Sequence, residues 1–176
     1  MIKRSFFYLF LALPLLTWGD DRTVPLDVYI IVDGSSALNR GKEEAIFWLC
    51  KKIDDLRQGD RLRIWRAGEE AELVYSGVLG DGREEVKTLV RTIKCEGNEA
   101  DYRGALREAR DLTEEGGERL SYTLLISGSG ARREAAPAEL LRHSRVESFS
   151  GWMVLTVGLN LSPKVRQALV DYMSGR

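Results

Sequence analysis

Three dense apolar runs of strand length constrain this chain most: Leu26 to Val32, Tyr122 to Ile126 and Trp152 to Val157. A strand that is apolar on both faces must be covered on both faces, which argues for a mostly parallel sheet between helices. The segments between the runs carry the helical period. Ile46, Leu49, Ile53 and Leu56 make one face of a helix over Lys42 to Leu56; Val86, Leu89, Val90 and Ile93 make another. Tyr102, Ala105, Leu106, Ala109 and Leu112 repeat the pattern, and Pro137 to Leu141 and Ser162-Pro163 onward start two more helices. Arg61 to Arg66 and Ala71 to Val78 read as strands joined at Gly68-Glu69-Glu70, a hairpin spacing. The predicted order is β α β β α α β α β α, an α/β three-layer sandwich. Its central sheet is mostly parallel, with one antiparallel edge strand, in a Rossmann-like arrangement. In such sheets the functional crevice lies beyond the carboxyl ends of the strands.

The first residues differ from this pattern. Lys3 and Arg4 precede an uncharged run from Ser5 to Trp18, too short to span a bilayer comfortably. Residues 1–19 read as a signal peptide, with Thr17 and Gly19 as the small residues before a cut at Asp20. Residues 20–23 form a linker, and 24–175 the folded domain. The expected location is outside the cytoplasm, periplasmic or extracellular, and membrane association follows only if the segment is retained. Loss of Lys3 and Arg4 from 26 cationic residues leaves 24 against 27 acidic ones. Without a basic block, nucleic acid is excluded as the main partner.

Two cysteines are present, Cys50 and Cys95. In an oxidising compartment they have the option of pairing. Cys50, however, falls on the apolar face of its helix, which favours a buried free thiol. Catalysis finds little support. The sequence around Ser35 and Ser36 lacks the glycines of a nucleophile elbow, and the sole histidine, His143, has no partner pattern. Gly128-Ser129-Gly130 has Arg133 where a dinucleotide loop needs its third glycine. The arginines of RLRIWRAG, with Trp65, form either a solvated face or a basic strip for a partner.

The first apolar run ends in VDGSSAL, residues 32–38, and GALREA stands at 104–109. With the element order and the hairpin after the first helix, these make the chain resemble the von Willebrand factor A domain family over roughly residues 24 to 175. That resemblance implies a metal-ion-dependent adhesion site built from an Asp-x-Ser-x-Ser loop, a threonine before a helix and an aspartate after the fourth strand. Asp33 and Ser35 match the first two positions, but Ala37 stands at the third, Ala100 at the threonine and Gly128, or alternatively Ser127, at the late aspartate. Magnesium needs near-octahedral oxygen coordination, and a methyl group offers it nothing. The resemblance therefore implies a degenerate site with no cofactor, the alternative being weakly bound Mg²⁺ helped by Glu99, Asp101 or Ser127. Without an ion, the Asp33 carboxylate is expected to accept backbone N–H groups from residues 35 to 37 or from the start of the helix.

The expected function is non-catalytic recognition of a protein partner. Its contact surface would be three loops, Gly34 to Asn39, Gly97 to Tyr102 and Ser127 to Arg133, with Ser36, Asn39, Asn98, Tyr102, Ser129 and Arg132 as contact residues. The alternatives are a divalent-metal-dependent ligand-binding domain using Asp33 and Ser35, and a structural component of an envelope complex.

Overall fold

The computed structural model describes residues 25–115, 120–128 and 144–158. The expected signal peptide and linker, the helices at Pro137 and Ser162, and His143 lie outside them. The chain order is β1 (Leu26–Asp33), a 3₁₀ turn (Ser36–Leu38), α1 (Lys42–Asp55), β2 (Arg61–Ala67), β3 (Ala71–Val78), α2 (Arg83–Arg91), α3 (Tyr102–Glu115), β4 (Leu120–Gly128), β5 (Ser144–Ser148) and β6 (Trp152–Gly158). These strands make one six-stranded sheet in the order β3-β2-β1-β4-β6-β5.

β1 is buried at every position because both of its faces are covered. On one face Val28, Ile30 and Val32 join Leu49 and Ile53 of α1 and Val86 and Val90 of α2; on the other Tyr29 and Ile31 join Ala105, Leu106 and Ala109 of α3. Each such Val, Ile or Leu contributes about 1.5–3 kcal/mol of burial free energy, so the middle of the sheet is the stable floor of the domain. Buried Asp60 anchors the start of that floor, one carboxylate oxygen accepting Leu26 N–H at 2.9 Å and the other Arg57 N–H at 2.8 Å.

The sheet is more mixed than the sequence predicts. β1 runs parallel to β2 and β4, whereas β3 runs against β2 as expected, β6 runs against β4, and β5 runs against β6. The antiparallel pairing is therefore not confined to one edge. Its cause is local: Ser144–Ser148 is a strand that the sequence reading missed, and it forms a hairpin with β6. Phe149 N–H bonds to Trp152 O at 2.9 Å, and Gly151 takes φ +97°, a conformation that an L side chain resists. The hairpin turns β6 back between β5 and β4. Phe149 then stacks on Trp152 with ring centroids 4.0 Å apart, and Trp48 of α1 meets Trp152 edge-on at 5.9 Å.

Trp65 also departs from expectation. It is fully buried beneath α3, and its Nε1 donates to Glu108 Oε2 at 2.7 Å. The alternative of an exposed basic strip that includes Trp65 is therefore corrected at the tryptophan: alternation along β2 sends Trp65 to the α3 face, and that face is covered, while Arg61, Arg63 and Arg66 stay partly exposed. Arg63 lies over the ring of Tyr29 and Arg66 pairs with Glu72 at 2.9 Å. Cys50 and Cys95 are both free and buried, and burial raises the pKa of each thiol. No helix among the described residues is long and apolar enough to cross a membrane.

Candidate functional site at the crest of the sheet

Parallel β1, β2 and β4 end on the same side, and there the loops after β1, β2 and α2 form a crest. Backbone bonds stitch it together. Gly34 N–H reaches Ala67 O at 2.7 Å, Ser36 N–H reaches Gly97 O at 2.7 Å, Gly97 N–H returns to Gly34 O at 3.1 Å, and Asp101 N–H reaches Gly68 O at 2.7 Å. The loops after β1, β2 and α2 thus behave as one piece.

Asp33 lies beneath this piece with no exposed surface. A buried carboxylate must be compensated by donors, and three converge on it. Oδ1 accepts Ser35 N–H at 2.8 Å, one of the bonds expected from the sequence. Oδ2 accepts the Tyr102 hydroxyl at 2.7 Å and Gly128 N–H at 3.0 Å. Ser127 Oγ lies 3.0 Å from the Tyr102 oxygen and 3.1 Å from Gly128 O. The phenol has one proton and directs it to Asp33 in a hydrogen bond, so the serine donates its own to Tyr102 or to Gly128 O. Burial first, and then the Asp33 charge and hydrogen bond, push the Tyr102 pKa far above the ordinary phenol range. Its hydroxyl is a donor at every physiological pH.

The other expected metal-site positions are closed or turned away. Ser35 is buried, and its Oγ accepts Ala37 N–H at 3.3 Å, capping the 3₁₀ turn. The Ala37 side chain is exposed, and Ala100 packs at the edge of the α3-side core. At Gly128 a Cβ would lie 2.3 Å from both the carbonyl carbon and oxygen of Ala37 and 2.7 Å from Leu38 N. The main chain of the first loop occupies the space that a side chain there would need. Of the substitutes, Asp101 caps α3 by accepting Gly104 N–H at 2.8 Å, Ser127 is buried against Tyr102, and Glu99 is exposed. Among the described residues no three His, Cys, Asp or Glu side chains gather as a metal set. These donors do not fit a hard divalent ion, because the one central carboxylate already accepts three hydrogen bonds and the neighbouring positions offer methyl groups.

Of the expected contact residues, Ser36, Asn39 and Asn98 are exposed on the crest. Ser129 and Arg132 lie outside the described residues. Tyr102 is corrected: it is 7% exposed and faces inward, because it begins the apolar stripe continued by Ala105, Leu106 and Ala109. That stripe was visible in the sequence and was the signal for its burial. Beside the crest opens a cleft of about 680 Å³ lined by Arg66, Gly68, Glu69, Glu70, Ala71, Glu72 and Gly97.

No protein-family model matches this chain, and no curated protein does. Solved structures do. A von Willebrand factor type A protein from Catenulispora acidiphila superposes with a TM-score of 0.50 at 20% identity, over 56% of this chain and 25% of that one. The vWF domain of the type V pili tip protein Mfa5 from Porphyromonas gingivalis gives a TM-score of 0.50 at 15% identity, over 64% of this chain and 43% of that one. The match thus spans less than half the length of either chain. With a sheet centred on β1, helices on both faces and the crest loops at the strand ends, this chain has the fold of a von Willebrand factor A domain.

Proposed function

We propose that the domain is a protein-recognition module that acts outside the cytoplasm, without catalysis and without a metal ion. The observation that carries this reading is the division of polar groups at the crest. The Asp33 carboxylate is consumed internally, whereas Ser36, Asn39 and Asn98 are exposed on loops that backbone bonds hold in place. Such loops present donors and acceptors at a low entropic cost of ordering. The cleft beside Gly97 adds a concave patch to the same surface. The Mfa5 domain of similar fold belongs to a pilus tip protein, which is in keeping with an exported interaction module.

The experiment is affinity capture of cross-linked partners by the exported protein, with and without chelator, using the wild type and the crest variants Ser36→Arg, Asn39→Arg and Asn98→Arg. Capture should persist in chelator and be lost in the crest variants. Loss in chelator would establish the metal-dependent alternative. Undiminished capture by all three variants would favour a structural component that packs through another face.

A further inference from the structure

Asp33 at the end of β1, Tyr102 at the start of α3 and Ser127 at the end of β4 are far apart in sequence, the tyrosine 69 residues from the aspartate and 25 from the serine. They come from the three segments that the adhesion-site pattern assigns to the ligands of one ion. We propose that Tyr102 is a built-in tie that replaces a cation at the crest: its hydroxyl joins β1 to β4, positions the exposed Ser36–Asn39 loop, and closes Asp33 to metal.

The geometry supports each part. The hydroxyl bonds Asp33 Oδ2 at 2.7 Å, and that same oxygen accepts Gly128 N–H at 3.0 Å, so both acceptor sites of Oδ2 are used and Oδ1, already bonded to Ser35 N–H, keeps a single site, short of what a hard ion needs from its one carboxylate. Ser127 Oγ approaches the phenol from the β4 side at 3.0 Å. Directly above, Gly128 packs against the main chain of Ala37 and Leu38. Movement of the phenol would therefore release Asp33 and loosen the floor on which that loop rests. An ordinary core tyrosine would contribute packing alone, and Tyr102→Phe would then disturb nothing at Asp33. A neutral phenol kept protonated by its surroundings is also a poor ligand for a hard cation. The tie holds the crest in the same way whichever partner the domain recognises.

The test is native-state amide exchange by NMR on the full exported chain, comparing wild type with Tyr102→Phe. Protection at Ser35 and Gly128 should fall about ten- to a hundredfold, the equivalent of one hydrogen bond to a charged group. Ile30 and Leu124 should change only as far as global stability does. In Asp33→Asn, which removes the charge and keeps the shape, the same tyrosine substitution should cost clearly less, because the two residues act through one bond. The wild type should gain no protection from millimolar Mg²⁺. Unchanged exchange at Ser35 and Gly128, an equal cost in the Asp33→Asn background, or a gain in Mg²⁺ would each overturn the proposal. Should a variant fail to fold, the wild-type spectrum decides: a slowly exchanging Tyr102 hydroxyl proton with a cross-peak to Gly128 N–H is required, and its absence refutes the tie.

Discussion

Replacing Gly128 by alanine probes the closed crest with a single methyl group. The added carbon would lie 2.3 Å from two main-chain atoms of Ala37 and 2.7 Å from Leu38 N, where ordinary contact is about a further ångström away. None of these atoms can rotate aside as a side chain would, so either the 3₁₀ turn lifts or β4 sinks. Overpacking of this kind costs about 1–3 kcal/mol. The shift also strains the Gly128 N–H bond to Asp33 Oδ2, a charge-assisted bond of about 1.5–3 kcal/mol, of which a part is lost. A total of about 2–4 kcal/mol lowers the melting midpoint of a domain this size by roughly 5–12 °C. Circular dichroism melts of wild type, Gly128→Ala and Gly128→Asp, each in chelator and in Mg²⁺, make the measurement. The aspartate variant restores the carboxylate of the adhesion-site pattern, yet it should melt no higher than the alanine variant and gain nothing from Mg²⁺. A melt of Gly128→Ala within about 1 °C of wild type would refute the steric argument. Rescue of Gly128→Asp by Mg²⁺ would refute the claim that the site is closed.

Glu108→Ala should destabilise the domain by about 1–3 kcal/mol in a urea titration, because it strips the acceptor from the buried Trp65 indole; Glu108→Gln should recover much of the loss. Alkaline pH should also destabilise the domain. Cys50, Cys95 and Tyr102 all have folded pKa values raised by burial, so above about pH 9 the unfolded thiols, and above about pH 10 the unfolded phenol, release protons that the folded chain retains. Stability is then full below pH 9 and falls as pH rises; flat denaturant midpoints from pH 8 to pH 11 would contradict this.

What the sequence disclosed follows the range of the interactions. β3 runs from Ala71 to Val78 as read from the sequence, and α1 ends within one residue of its expected bound, since hairpin spacing and a 3.6-residue stripe are local signals. β5 was missed because SRVES is five residues long with one apolar side chain, Val146, which is itself 49% exposed. Without that strand, the direction of β6 had no local marker. Trp65 misled because alternation along β2 tells which face a residue takes and not whether a helix covers that face. At the crest, the departures from the adhesion-site pattern at positions 37, 100 and 128 were legible as residue types. The replacement was not: Tyr102 was placed on an apolar stripe and also among contact residues, and only the fold brings its hydroxyl to a carboxylate 69 residues away.

The most direct measurement is a calorimetric titration of the purified wild-type protein with Mg²⁺, Mn²⁺ and Ca²⁺. A crest held by Tyr102, Ser127 and the Gly128 amide predicts no binding tighter than about a millimolar for any of the three. Saturable binding of one ion per chain below that concentration, abolished by Asp33→Ala, would contradict the account.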